Sequence, residues 1–384
     1  MSHQSLRHRR WLLALYFAGI LIATWQRGVM INDHSTFAIF RQSFVHLANH
    51  QNLYASYPEE QGAHPVHRFK YSPSAAMLFA PLSAVPFPIA LFFWNALNAG
   101  LLIVAITRLL PPARANLALL LLAPEVFVAI QSSSSNALVT ALIILAALAY
   151  WRGQVMRAAF ALMTGVAIKI FPLAGFALAL LARRWRDGAL AAVCALIAVG
   201  ALPLLVVPPA ELLQQYHWWS IIQRSDAQDV MFGLSLMRQF RDWWDVAWPN
   251  WIVQIIGTIA FLTPLVVRRD RRHDPAFRIE FLCSLLIYVT IFNHQAERQS
   301  FVIAATGCAI WFVGSRITIE RAVLLALAII GVPTVPYLIM WLVIQMELLG
   351  GKPTFVLETS VAFDPIPVPR SAWRLVPARY RKAS

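Results

Sequence analysis

The sequence predicts an all-α polytopic membrane protein, and three observations carry that prediction. Apolar runs restart roughly every 15 to 25 residues, close to the about 20 residues needed to cross about 30 Å of hydrocarbon. Hydrophobic residues make up 59% of the 384-residue chain and charged residues only 13%, against about 25% charged in soluble domains; the mean hydropathy is +0.61. Basic residues fence the apolar runs on alternating sides, which is the positive-inside pattern. The formal net charge of +14 therefore points to span ends and anionic lipid rather than to nucleic acid.

The elements follow in order. Arg7, Arg9 and Arg10 precede a first span at 11–25, so the N-terminus is expected in the cytoplasm. Polar Gln26-Arg27 follows in place of a small-residue cleavage site, which reads as an uncleaved span. A long outer loop occupies 26–73. Within it Phe37, Phe40, Phe44, Val45 and Leu47 recur at near-helical spacing, predicting an amphipathic helix at the membrane interface. Residues 74–85, bounded by Pro73 and Pro86, are too short to span and read as an interfacial or re-entrant piece. Further spans are expected at 88–108, 115–131 and 137–151. Between the last two, Gln131-Ser132-Ser133-Ser134-Ser135-Asn136 reads as a short outer turn.

Residues 158–182 are flanked by basic groups at both ends, with Lys169-Ile170-Phe171-Pro172 in the middle. This reads as two half-helices meeting at an outer turn, an arrangement tolerated only against protein or a wet cavity. A span at 188–207 leads to a second outer loop, 208–250, whose Trp218, Trp219, Trp243, Trp244 and Trp248, followed by Trp251, suit a membrane-water belt. Spans at 251–267, 279–293 and 300–314 are separated by Arg268-Arg269-Asp270-Arg271-Arg272 and by Asn293-His294-Gln295-Ala296-Glu297-Arg298. Residues 322–346 contain Pro333 and Pro336, so one kinked span and two half-spans both fit. A basic, Pro-containing tail follows at 350–384. Cys194, Cys283 and Cys308 lie in apolar runs without CxxC spacing and read as small packing residues.

Three polar constellations could carry chemistry. In the first outer loop, Asp33 could act as a general base toward a sugar hydroxyl, while Arg68, Lys70 and Tyr71 could hold a phosphate or pyrophosphate. The same residues also fit a solvated loop with interface anchors. Lys169 sits between apolar residues, where an ammonium must snorkel, pair or meet an anionic ligand such as a lipid phosphate. In the third, Asn293, His294, Glu297 and Arg298 lie between two apolar runs. A continuing helix would place His294 and Arg298 on one face, suited to a diphosphate; a plain polar turn is the other reading. No Walker loop, dinucleotide-binding glycine motif or HExxH is present, which argues against a nucleotide-driven pump or a zinc protease.

Several stretches together resemble the polytopic GT-C glycosyltransferases, specifically glycosyltransferase family 87. They are Phe37-Ala-Ile-Phe-Arg41 with Asn52-Leu53-Tyr54, Lys70-Tyr71-Ser72-Pro73 leading to Ala80-Pro81-Leu82 and Trp94-Asn95-Ala96-Leu97-Asn98, Gly165 to Pro172 with its Lys-x-x-Pro, and Phe292-Asn293-His294. The likeness runs over about 30 to 310. It implies a GT-C-like bundle of about 10–12 membrane helices, including broken or re-entrant segments, as one domain over 1–349 with two large outer loops. It implies a polyprenyl-phosphate sugar as donor, mannose-like, a lipid or glycan acceptor, and action outside the cytoplasm in the cell membrane. Asp33 is then the candidate catalytic base; Lys169, His294 and Arg298 would bind the donor phosphate; Arg68, Lys70, Tyr71, Asn293 and Glu297 would contact substrate. Neither metal nor cofactor is implied. The family's Asp usually precedes the loop's aromatic pair by about four or five positions, which from Phe40 reaches Ser35 or Thr36; Asp33 is the nearest carboxylate. Two other readings stand beside this one: a transporter or flippase of a lipid-linked or anionic solute, and an inactive family member.

Overall fold

The computed structural model describes residues 3–30, 35–57, 68–182, 185–228, 233–246, 248–330 and 334–350. These residues form helices and connecting turns, with no β-strand element among them. Among the described residues, five helices are long and apolar enough to cross a membrane: Arg9–Met30, Phe87–Leu109, Pro112–Gln131, Trp185–Leu205 and Asn250–Val267. Shorter apolar helices pack among them. The protein is an all-α polytopic membrane protein, as the hydropathy pattern predicts.

The first half of the chain keeps the expected order. α1 (His3–Trp25) runs on through a π-helical turn, Gln26–Met30. α2 (Ser35–Ala48) is the helix predicted from aromatic spacing, but its apolar face closes on protein rather than lying on lipid. Phe40 stacks on Phe79 at 4.9 Å and meets Tyr71 at 4.8 Å and Trp94 at 5.6 Å. Two short helices follow, α3 (Pro73–Leu78) and α4 (Ala80–Ser83). Arg41 of α2 donates to the carbonyls of Leu82 and Ser83, which the end of α4 leaves without helical partners, and to that of Val85 in the turn that follows. α5 (Phe87–Leu109) and α6 (Pro112–Gln131) are the next spans, and α7 (Asn136–Trp151), where a span at 137–151 is expected, is a shorter apolar helix.

The broken segment is present. α8 (Val155–Ile168) ends, Lys169 turns to extended backbone, and a 3₁₀ helix, Phe171–Leu181, runs back. Pro172 explains the stop, because a proline ring cannot continue the preceding helix. α9 (Trp185–Gly200) and a 3₁₀ turn, Leu202–Leu205, follow. The expected second loop is largely helical: α10 (Pro209–Gln228) and α11 (Leu236–Trp244). Its polar residues obscured that regularity, since α10 faces both the first loop and water.

α12 (Asn250–Val267), α13 (Pro275–Ile291) and α14 (Phe301–Gly314) complete the core. Every residue of α14 is buried. A helix apolar on all sides must be covered on all sides, and α6, α7, α13 and α15 (Ile319–Ile330) cover it. α16 (Thr334–Gly350) packs on α13 and α15, so 322–346 is two helices. Arg321 near the start of α15 pairs with Glu347 near the end of α16, which makes them a hairpin. The tail beyond residue 350 lies outside the described residues.

One end of the bundle is basic and well capped. Arg278 donates to Leu181 O at 3.0 Å, Arg268 to Leu349 O at 2.9 Å and Arg114 to Gly314 O at 3.4 Å. The starts of α7, α12 and α14 and the Lys169 turn lie at the opposite end. At about 1.5 Å per residue, α8 rises only about 21 Å from the basic end, less than the about 30 Å of the hydrocarbon core.

Close helix contact in lipid favours small residues. A Cβ on Gly307 would lie 2.7 Å from Cys283 O and 3.1 Å from Leu286 Cβ. Gly307→Val should therefore separate α13 from α14 and destabilise the protein by about 1–3 kcal/mol, read as a lower melting temperature in detergent.

Candidate active site

The site begins with a carbonyl that α8 leaves without a helical partner. Ala167 O accepts from Ser72 N at 3.2 Å and from Ser72 Oγ at 2.9 Å. This docks the segment Lys70-Tyr71-Ser72 against the turn carrying Lys169. The neighbouring chain is held as firmly: Tyr54 Oη donates to Tyr71 O at 2.9 Å, and Trp219 and Gln223 of α10 donate to Lys70 O at 3.1 and 2.8 Å.

α10 clamps the first loop from outside. Gln215, fully buried, accepts from Leu53 N at 3.2 Å and donates to Gln51 O at 2.7 Å. Lys70 pairs with Asp226 at 3.0 Å, and His50 meets Glu211 at 2.7 Å. A third wall comes from the turn after α13. Asn293 Oδ1 accepts from Gln295 N at 3.1 Å, and His294 Nε2 contacts Asp226 O at 3.0 Å. Leu234 N donates to Ala296 O at 2.6 Å. The preceding Gly233 has φ +90°, and a Cβ there would lie 2.8 Å from Ala296 O, so only glycine fits this crossing.

These walls enclose a cavity of about 1050 Å³. Seven of the sequence-predicted residues line it: Arg68, Lys70, Tyr71, Lys169, Asn293, His294 and Glu297. Lys169 Nζ lies 5.9 Å from the Phe171 ring centre, and the Glu297 carboxylate attracts it. Burial pushes the Tyr71 phenol well above its ordinary pKa, and Glu297 adds to the shift. Tyr71 therefore enters the cavity as a neutral hydroxyl. The apolar lining includes Val166, Ile170, Leu173 and Phe292. The cavity is cationic and amphiphilic together, which suits an anion carried on a lipid.

Two expectations fare differently. Asp33 lies outside the described residues; Thr36, near the start of α2, lines the cavity. Arg298 is not among the lining residues. Its guanidinium holds Glu125 of α6 with both nitrogens, at 2.5 and 2.6 Å, and Glu125 is 2% exposed. Of the two readings of 293–298 the turn is the one present: α13 ends at Ile291 and the chain turns before Arg298, so His294 and Arg298 do not share a helix face. The buried carboxylate explains the orientation of Arg298: without that partner, Glu125 would be an uncompensated charge.

Sequence reasoning missed α10 as a wall, with Trp219, Gln223 and Asp226, and missed Ser134, Gln254 and Gln299. It also passed over Glu125, although a lone carboxylate inside an apolar run is itself a sign of a buried partner. The turn expected at 131–136 is present and is covered by protein: Ser133 to Asn136 are all buried. Among the described residues no group of three or more His, Cys, Asp or Glu is arranged to hold a metal ion.

The family model of glycosyltransferase family 87 matches residues 69–292, more than half of the chain. The match takes in Lys70, Tyr71 and Lys169 and stops just before Asn293. No curated protein matches the chain.

Arg298→Ala should leave Glu125 buried without a counter-charge and lower stability by about 3–5 kcal/mol, seen as a fall in melting temperature. Adding Glu125→Gln to that variant should restore most of the loss, because a neutral amide needs no cation. Full stability in the single variant would show that the pair is dispensable.

Proposed function

The chain belongs to glycosyltransferase family 87, and on that premise we propose that it transfers a mannose-like hexose from a polyprenyl-phosphate donor to a lipid or glycan acceptor. The observation that carries this reading is one cavity lined by Arg68, Lys70, Lys169 and His294 on its polar side and by Ile170, Leu173 and Phe292 on its apolar side. A lipid-linked phosphate needs both.

In the proposed reaction the acceptor hydroxyl oxygen attacks the anomeric carbon, and the bond from that carbon to the phosphate oxygen breaks. The hydroxyl proton goes to the Asp33 carboxylate. Polyprenyl phosphate leaves with one further negative charge, which Lys169, assisted by Lys70 and His294, offsets electrostatically. Arg298 drops out of the phosphate-binding set because Glu125 engages it. Arg68, Tyr71, Asn293 and Glu297 are proposed substrate contacts.

The proposed orientation follows from charge. Placing the basic end of the bundle in the cytoplasm sets the N-terminus inside and opens the cavity on the outer face of the cell membrane. Lys169 then lies at membrane depth, where a lipid phosphate can reach it.

Sugar transfer from radiolabelled polyprenyl-phosphate hexose in membranes tests the reading. Asp33→Asn should lower turnover by about 10²–10⁴-fold with expression unchanged. Transfer that persists would reassign the base; no transfer by the wild type with any hexose donor, in the presence of lipid and glycan acceptors, would overturn the reading. Lys169→Ala should weaken donor binding by about 10-fold or more, the scale of one charged hydrogen bond. Unchanged donor affinity would remove Lys169 from that role.

A further inference from the structure

The buried turn between α6 and α7 has a composition that its position does not require. Ser132 to Asn136 carry no charge but are uniformly polar, and Ser135 and Asn136 are 0% exposed. Ser133 adopts φ +50°, a left-handed conformation that serine seldom takes, and such strain tends to gather at functional sites. Trp94 Nε1 secures the turn by donating to Ser133 O at 2.8 Å.

Ser134 and Gln299 line the same cavity as Lys169. Asn136 ties them together, its Nδ2 donating to Gln299 O at 2.9 Å and to Ser134 Oγ at 3.4 Å. Ser134 Oγ donates to Ala129 O at 3.2 Å. Gln299 Nε2 donates to Glu297. Two buried atoms of the turn remain without a partner among the described residues: Ser135 Oγ and Asn136 Oδ1. Buried polar atoms are rarely left so; neither residue lines the cavity, so these atoms belong to a polar layer behind Ser134 rather than to the surface a ligand would meet.

The chemistry of this wall differs from that of the cationic residues. A phosphate only accepts hydrogen bonds and calls for cations. Hydroxyls and amides both donate and accept, which matches the ring hydroxyls of a sugar. We infer that Ser134 and Gln299, held in place by Asn136, form a subsite that reads the ring hydroxyls of a hexose. This rests on the glycosyltransferase reading and adds the residues that would set sugar specificity. A site built to bond a particular hydroxyl rejects the sugar that lacks it, because its own polar groups are then left unpaired.

The test compares purified wild type, Ser134→Ala and Gln299→Met for binding of polyprenyl-phosphate hexose and of bare polyprenyl phosphate. Transfer is then measured with epimeric hexose donors and, separately, with epimeric sugar acceptors. The variants should bind the sugar-bearing lipid at least fivefold more weakly or show an acceptor KM raised at least fivefold, while bare polyprenyl phosphate binds as before. The kcat/KM ratio between epimers of the affected sugar should move by about 10-fold. A raised donor KM with unchanged acceptor KM assigns the subsite to the donor sugar, and the reverse assigns it to an acceptor sugar. Ser134→Thr keeps a hydroxyl and should retain the epimer ratio. Gln299→Met, on a different segment, serves if Ser134→Ala fails to fold. Equal losses for both lipids, or no change in either lipid or in epimer preference, would overturn the subsite. If the wild type binds neither lipid, the donor assignment fails and the inference falls with it, an outcome separable from sugar-independent binding.

Discussion

The pair of hydrogen bonds from Ser72 to Ala167 O is the contact on which the site depends. Lipid cannot satisfy a backbone carbonyl, so a helix that breaks at membrane depth must find a protein partner. α8 breaks at Lys169, and Ser72 supplies both a backbone N–H and a hydroxyl to one carbonyl of its last turn. The bond therefore does two things. It makes the break tolerable, and it brings the Lys70–Tyr71 segment to the lysine about a hundred residues further along the chain. Pro172 stops the helix, and Ser72 supplies the partner that the stop denies to Ala167 O.

The charged groups around the cavity sort by how completely they are engaged. Arg298 is held by two short bonds to a buried carboxylate, so it stiffens the base of the 293–297 turn. Lys70 pairs with Asp226, whose side chain is partly shielded, and keeps part of its ammonium toward the cavity. Lys169 faces Glu297 through a weaker, longer-range attraction and lies over an aromatic ring. A ligand anion competes most readily at the last of these, because the protein offers Lys169 the least compensation. The same logic separates this cationic wall from the neutral serine turn, where no charge would bias binding toward phosphate.

The clamp by α10 shows why a polar loop can still be ordered scaffolding. Its residues satisfy backbone groups of the first loop at Leu53, Gln51 and Lys70. Lys70 and His294 then meet at Asp226, one through its side chain and the other through its carbonyl. Three segments that are distant in sequence thus share one small hub beside the cavity.

Hydropathy and proline placement were enough to determine the helical membrane fold, most span positions and the break at Lys169, because lipid imposes its demands on every segment separately. They also picked out Lys70, Tyr71, Lys169, His294 and Glu297, whose polarity in or beside apolar runs is conspicuous. What they could not determine was which partners those groups find. The two helices of 208–250 were hidden by their polar faces, Arg298 looked available until Glu125 claimed it, and nothing in the serine run showed that packing would bury it. Pairing energies depend on distance and on exclusion of water, and both arise only when segments far apart in the chain are brought together.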